Sequence, residues 1–301
     1  MAVWEPEIVV EEPLARRLLE QFPELERAPL RRLAHGWDYT VWLVGERYAF
    51  RFPRRQMVVS GTEREIAVLP KLGPLLPLPV PVPLFVGRPT DEYPWPFFGS
   101  AFLPGSEVAE AGLDDEARLE VALQLAGFMR TLHSVELDEP LPVDVNGRAD
   151  MTRRVPLARE SLGELARQGL WRASGEVGEL LADAERLPPS TFEAVVHGDL
   201  HVRQFVVEGP RVTGVIDWVD VCRSDPAVDL SLLWSFLPAG SRSAFLDAYG
   251  PVDDSQLVRA RVLAFSLGSA IALSAHAHGL SAVTREALAG LELARDGRYN
   301  A

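Results

Sequence analysis

The decisive stretch runs Val195-Val196-His197-Gly198-Asp199-Leu200-His201-Val202-Arg203-Gln204-Phe205-Val206-Val207 and is followed by Val215-Ile216-Asp217-Trp218. Short β-branched runs flank a polar loop, so the pattern reads as strand, loop, hairpin, and an acidic residue at a strand end, with strands over 194–196, 205–208 and 212–216. Such a hairpin is expected to turn Gln204, at its start, and Asp217, just past its end, toward one mouth near Asp199. Two carboxylates and a carboxamide oxygen are hard donors. They suit Mg²⁺, which binds through one or two carboxylates plus substrate phosphates.

Working outward, the chain downstream is helical, with helices predicted over 226–236, 242–249, 255–278 and 284–293. Immediately upstream, 114–133, 152–168 and 175–186 read as amphipathic helices, the first opening on acidic residues that complement the positive end of a helix. Further back the character changes. A helix is predicted over 13–22 and short strands over 31–34, 39–44 and 48–52, joined by turns at 36–38 and 45–46. A helix over 62–72 follows, then a strand over 97–103 that stops at Pro104-Gly105, where a hinge is expected. Between these last two lies a tract rich in proline, including Pro74, Pro77, Pro79, Pro81, Pro83, Pro89, Pro94 and Pro96. Proline fixes its own φ and biases the preceding residue to extended backbone, so residues 72–96 read as a stiff extended connection. The pattern is α+β: a small strand-rich lobe over 1–104 and a larger helical lobe over 105–301.

Composition narrows the function. With 301 residues, 47% apolar and 24% charged, the chain is a folded globular protein of one large or two small domains. A formal net charge of -13 disfavours a polyanionic partner, so no nucleic acid is expected, and it suits a cationic small molecule. No uninterrupted apolar run reaches the roughly 18–20 residues that span a bilayer, which excludes a transmembrane helix at this level of reading. Glu5, Glu7, Glu11 and Glu12 stand where a secretory signal would be basic and then apolar. The one cysteine, Cys222, forms no intrachain disulfide, and cytoplasmic residence and a monomeric state are the expectation. Lys71 is the only lysine, so the basic residues are otherwise arginine.

The His197-x-Asp199 loop, the amide at Gln204 and the Ile216-Asp217-Trp218 segment resemble the catalytic and metal-binding loops of aminoglycoside and macrolide phosphotransferases. The resemblance implies a bilobal protein-kinase-like fold and transfer of the γ-phosphoryl group of ATP or GTP to a hydroxyl of the antibiotic. Carried over by position, it implies that Asp199 receives or orients the acceptor hydroxyl, that Gln204 and Asp217 hold Mg²⁺, and that His197 supports the loop. Upstream, His35-Gly36-Trp37-Asp38-Tyr39-Thr40 resembles the loop over the nucleotide, with Gly36 and Asp38 as binding positions. Phe50-Arg51-Phe52 resembles the strand that sends a basic residue to the phosphates, with Glu65 pairing to it, and Phe102-Leu103-Pro104-Gly105 the hinge lining the base pocket through Leu103. Asp225-Pro226-Ala227-Val228-Asp229-Leu230 is similar to the family's Asp-Pro-x-x-Asp-Leu, which implies that Asp229 braces the catalytic loop. Arg51 departs from the usual lysine and Gln204 from the usual asparagine, and the second departure leans toward the macrolide branch.

Other readings compete at single residues. His197-x-Asp199-x-His201 could begin a zinc site, but a catalytic zinc needs three protein ligands, and His276 and His278 are two apart on a predicted helix. Arg51 and Glu65 alone would be an ordinary ion pair, Trp37 and Tyr39 packing residues, Asp229 a helix cap, and Cys222 a buried thiol. Glu107, Glu110, Asp114, Asp115 and Asp220 offer an acidic patch for the amino groups of an acceptor. The alternatives at the level of the whole chain are a kinase of a small metabolic amino alcohol or sugar, and a catalytically silent nucleotide-binding module of the same fold.

Overall fold

The structure is a computed structural model that describes residues 6–35 and 38–297. The chain divides into two compact units. The first comprises Met1–Leu75, Pro79–Leu103 and Asp217–Val219, and the second Leu76–Leu78, Pro104–Ile216 and Asp220–Ala301.

In the first unit, helix α1 (Glu12–Leu19) precedes strands β1 (Leu30–His35), β2 (Tyr39–Val44) and β3 (Tyr48–Pro53), then helix α2 (Val59–Leu72), β4 (Pro83–Gly87) and β5 (Phe97–Ala101). The strands form one antiparallel sheet in the order β1-β2-β3-β5-β4. Period-two alternation sends Phe50 and Phe52 of β3 into a core with Trp42, Val44, Tyr93 and Phe97, closed by Ala15, Leu18 and Leu19 of α1. Arg51, between the two phenylalanines, takes the opposite face, where α2 meets it. The core is tight enough to set sequence: a Cβ on Gly99 would lie 2.4 Å from the Phe50 ring.

The proline-rich tract corrects the sequence reading. Its start is not extended, since a 3₁₀ turn at Gly73–Leu75 follows α2, and Pro83–Gly87 is more than a connection: it is the edge strand of the sheet, with Pro83 opposite Ser100 and Val86 opposite Phe98. An edge strand needs only one ladder, so a proline at its first position leaves no bond unmade. Helix α2 also starts three residues before the predicted 62, because a 3₁₀ turn at Gln56–Val58 leads directly into it.

The second unit carries β6 (Ser106–Glu107), α3 (Val108–Ala111), α4 (Asp115–His133), α5 (Met151–Arg167) and α6 (Gly175–Ala184). Then come β7 (Ala194–Val196), β8 (Phe205–Glu208), β9 (Arg211–Val215), β10 (Cys222–Ser224), α7 (Ser231–Phe236), α8 (Arg242–Tyr249), α9 (Asp254–Ala277) and α10 (Ser281–Arg295). Strands β8 and β9 form the expected hairpin, β6 joins it, and β7 pairs with β10. Asp114 and Asp150 cap α4 and α5 through side-chain oxygens, and a capping box of Asp253 and Gln256 starts α9. By length and mean hydropathy α9 could cross a membrane, which qualifies the exclusion drawn from apolar runs. Its apolar residues Leu257, Leu263, Phe265 and Ala272 are instead buried inside the unit, as in a core helix. The single helix predicted over 226–236 is interrupted. A 3₁₀ turn at Pro226–Val228 ends at Asp229, and α7 starts only at Ser231. The interruption frees Asp229 for the role described next.

Candidate active site

Within the second unit, the loop after β7 is fixed from below by one buried carboxylate. The N–H of His197 donates to Asp229 Oδ2 at 2.8 Å and that of Gly198 to Asp229 Oδ1 at 3.1 Å. His133 Nε2 lies 3.1 Å from Asp229 Oδ2, and its Nδ1 lies 2.8 Å from the Tyr249 hydroxyl. Burial pushes the Asp229 carboxyl up, but His133 and the His197 N–H outweigh it and hold it below the usual range. His197, fully buried, lies with Nε2 2.9 Å from Ile216 O and Nδ1 3.3 Å from the Asp199 N–H. Gly198 has φ 88°, and a Cβ there would lie 2.2 Å from Asp220 O, so only glycine fits this turn.

Asp199 leaves this loop with its side chain 21% exposed. Arg148 Nη2 is 2.9 Å from Asp199 Oδ1 and 3.1 Å from Asp220 Oδ2, and its Nη1 donates to Gly198 O. On the other side, His201 Nε2 is 3.6 Å and Gln204 Nε2 3.5 Å from Asp199 Oδ2. Burial alone would raise the carboxyl, but Arg148 and His201 hold it far below the usual carboxylate range. The hairpin therefore brings Gln204 to Asp199, as its position before β8 implied. Arg148, His133 and Tyr249 were not legible in the motif. Arg148 lies in an irregular segment far upstream, and only the expected need of Asp199 for a cation could have signalled it.

The other expected residues meet in the first unit. Arg51 Nη1 is 2.7 Å from Glu65 Oε1 and Nη2 is 2.5 Å from Asp217 Oδ1, with the guanidinium over the Tyr39 ring at 4.3 Å. Glu65 Oε1 also accepts from the Trp218 N–H at 3.0 Å, while Glu65 Oε2 is buried without a hydrogen-bond partner. Burial pushes the Glu65 carboxyl up to about 7, although Arg51 opposes this. Burial works against the charge of Arg51, yet Glu65 and Asp217 raise its pKa above the ordinary arginine value. Asp217 takes left-handed backbone, φ 66°, an uncommon conformation that its tie to Arg51 holds. Helix α2 anchors the same segment: Arg64 Nη1 donates to Val219 O at 2.5 Å, and Gly61 leaves room for Val219.

Of the remaining expected positions, Asp38 is ion-paired to the buried Arg55 and Leu103 is half-buried after β5. Gly36 and Trp37 lie outside the described residues. The acidic patch is largely engaged within the protein: Glu107 pairs with Arg203 at 3.0 Å, Asp220 with Arg148, and Asp114 caps α4. Cys222 is buried, and burial pushes its thiol up to about 11. Among the described residues, no group of three or more His, Cys, Asp or Glu side chains could hold a metal ion, which leaves the zinc reading without a site.

The model of the APH phosphotransferase enzyme family matches residues 29–262. The chain belongs to this family. No curated protein matches it in sequence. Among solved structures, the GDP complex of wild-type aminoglycoside 2'-phosphotransferase-IIIa is 22% identical, with a TM-score of 0.68 over 95% of this chain and 98% of that one. Macrolide 2'-phosphotransferase MphH from Brachybacterium faecium is 22% identical, with a TM-score of 0.60 over 91% and 96%. The streptomycin-ATP-APH(2")-IIa ternary complex is 17% identical, with a TM-score of 0.56 over 92% and 97%. At these identities the likeness carries the fold: this APH chain has the kinase-like fold that its loop motif implied, and both the aminoglycoside and the macrolide branches stand among its neighbours.

Proposed function

We propose that this APH-family phosphotransferase moves the γ-phosphoryl group of ATP or GTP to a hydroxyl of an antibiotic. The observation that carries the reading is the Asp199 carboxylate, kept ionised on a loop whose backbone N–H groups are tied to the buried Asp229. An acceptor hydroxyl donating to Asp199 is oriented with its lone pair on phosphorus. Because the carboxyl resists protonation, it takes the hydroxyl proton late, which agrees with a loose transition state in which positioning and charge neutralisation supply most of the rate. His197 and Asp229 hold the loop, and Arg51 meets the nucleotide phosphates with a planar fork in place of lysine's point charge.

The donors match Mg²⁺: the Asp217 carboxylate and the Gln204 carboxamide oxygen are hard oxygen ligands. Held there with nucleotide, the ion would supply positive charge to the phosphate oxygens. Gly36, Asp38 and Leu103 are assigned to the nucleotide by family position.

A small recess in the second unit lies beside the loop that carries Asp199. It opens beside His201, two residues after Asp199, and is walled by Val202, Ala264, Leu267, Ile271 and Ala287, with Glu286 as its one carboxylate. Glu286 is held by Arg118 at 2.8 Å. Gln204, where the family usually carries asparagine, favours a macrolide over an aminoglycoside as acceptor.

Coupled turnover with Mg²⁺-ATP and Mg²⁺-GTP against macrolides, aminoglycosides and amino alcohols tests the proposal. Acceptor-dependent turnover is expected, and Asp199→Asn is expected to abolish it. Nucleotide binding without turnover on any acceptor would favour a silent module of the same fold.

A further inference from the structure

Arg148 touches both the Asp199 carboxylate and the backbone of the loop that carries it. It stands in the segment between α4 and α5, which is sewn to β10: the Asp144 N–H donates to Arg223 O and the Arg223 N–H to Pro142 O, each at 2.9 Å. Asp144 adopts φ 40°, and its Oδ1 accepts from the Arg148 N–H at 2.7 Å. Arg148 therefore leaves the backbone from a fixed turn, its side chain only 12% exposed, and one guanidinium grips Asp199 Oδ1, Asp220 Oδ2 and Gly198 O. Lysine could not do this. A point charge on a flexible stem lacks the planar set of donors that serves three acceptors at once.

A carboxylate on a single χ2 axis swings unless one oxygen is fixed, and a charge-assisted bond of this kind is about twice as strong as a neutral one. With Oδ1 held by Arg148, Oδ2 is the oxygen left to face His201, Gln204 and an incoming hydroxyl.

We propose that Arg148 is a positioning residue of phosphoryl transfer, fixing Oδ1 of Asp199 so that Oδ2 is presented to the acceptor hydroxyl. The inference rests on Asp199 as the residue that orients the acceptor. Asp220 thereby acquires a role too: it completes the grip that stops the guanidinium from following Asp199 when the acceptor binds.

The test compares Arg148→Gln and Arg148→Lys with wild type and Asp199→Asn, kcat being normalised to nucleotide-binding sites so that only folded enzyme is counted. In Arg148→Gln, kcat falls roughly 100-fold, the cost typical of a misplaced catalytic group, while the nucleotide KM stays within about twofold. Arg148→Lys recovers part of the loss. Wild-type kcat per site in Arg148→Gln, or a loss confined to nucleotide KM, would overturn the proposal. Should Arg148→Gln not fold, Arg148→Lys decides, and wild-type kcat in it overturns the grip. Failure of the underlying reading looks different: Asp199→Asn would then turn over acceptor like wild type, and both inferences would fall together.

Discussion

Glu65 shows how far a single carboxyl can be moved by its surroundings. Its folded value of about 7 stands above its ordinary 4.5, so between these pH values the folded chain holds a proton that the unfolded chain has released. Its contribution to stability is therefore complete below about 4.5 and lost as pH rises through about 7. The advantage in Tm of wild type over Glu65→Gln is expected to shrink between pH 5 and pH 8, and a gap that stays constant across this range would mean that Glu65 is ionised throughout. Arg51 poses the complementary question. Arg51→Lys keeps a charge but gives up the fork to Glu65 and Asp217 and the stacking on Tyr39. Losing one charged hydrogen bond predicts a rise of about tenfold in nucleotide KM, and an unchanged KM would remove Arg51 from the phosphates.

At the scale of elements, the loop that carries Asp199 depends on one glycine and one aspartate. In Gly198→Ala, the new Cβ meets Asp220 O and the backbone is forced into an unfavourable φ, so urea unfolding is expected to show a loss of at least about 2 kcal/mol. Asp229→Ala strands the buried N–H groups of His197 and Gly198, at about 1–3 kcal/mol each, and kcat falls along with stability. The hairpin β8–β9 and the strands around Arg51 were legible because alternation and turn residues are local signals. So was the His197-x-Asp199 motif, because its residues stand together in the sequence. Strand β4 was not, since prolines erase the alternation and only the neighbour β5 makes an extended tract into a strand. The break before α7 was also missed: apolar periodicity runs through Asp229, and what stops the helix there is the demand of a distant loop for an acceptor. Arg148 is the clearest case, because its partners are joined to it by the anchoring of Asp144 on β10 and by nothing in the surrounding sequence.

For the molecule as a whole, the proposal that Mg²⁺ arrives with nucleotide has a measurable signature. Chelation is expected to abolish turnover while leaving the Tm of nucleotide-free protein unchanged, and a chelator-induced fall in that Tm would point to a structural metal instead. With Mg²⁺ present, ATP or GTP at 100 times its Kd is expected to stabilise the protein by about 2.7 kcal/mol, read as a concentration-dependent rise in Tm. The net charge of -13 adds an expectation for a cationic acceptor: its capture slows as ionic strength rises, because screening weakens long-range attraction. The division of the chain bears on how such a protein can change over generations. Residues 217–219 belong with the first unit although the sequence on both sides of them belongs with the second. A crossover between two related genes near residue 104 would leave Asp217, Trp218 and Val219 behind, and the incoming Arg51, Glu65 and Arg64 would face another lineage's residues there. Swaps of the first unit are therefore heritable only when the short distal segment travels with it or already matches, which makes this triplet the place to look for compensating substitutions in natural or laboratory chimaeras.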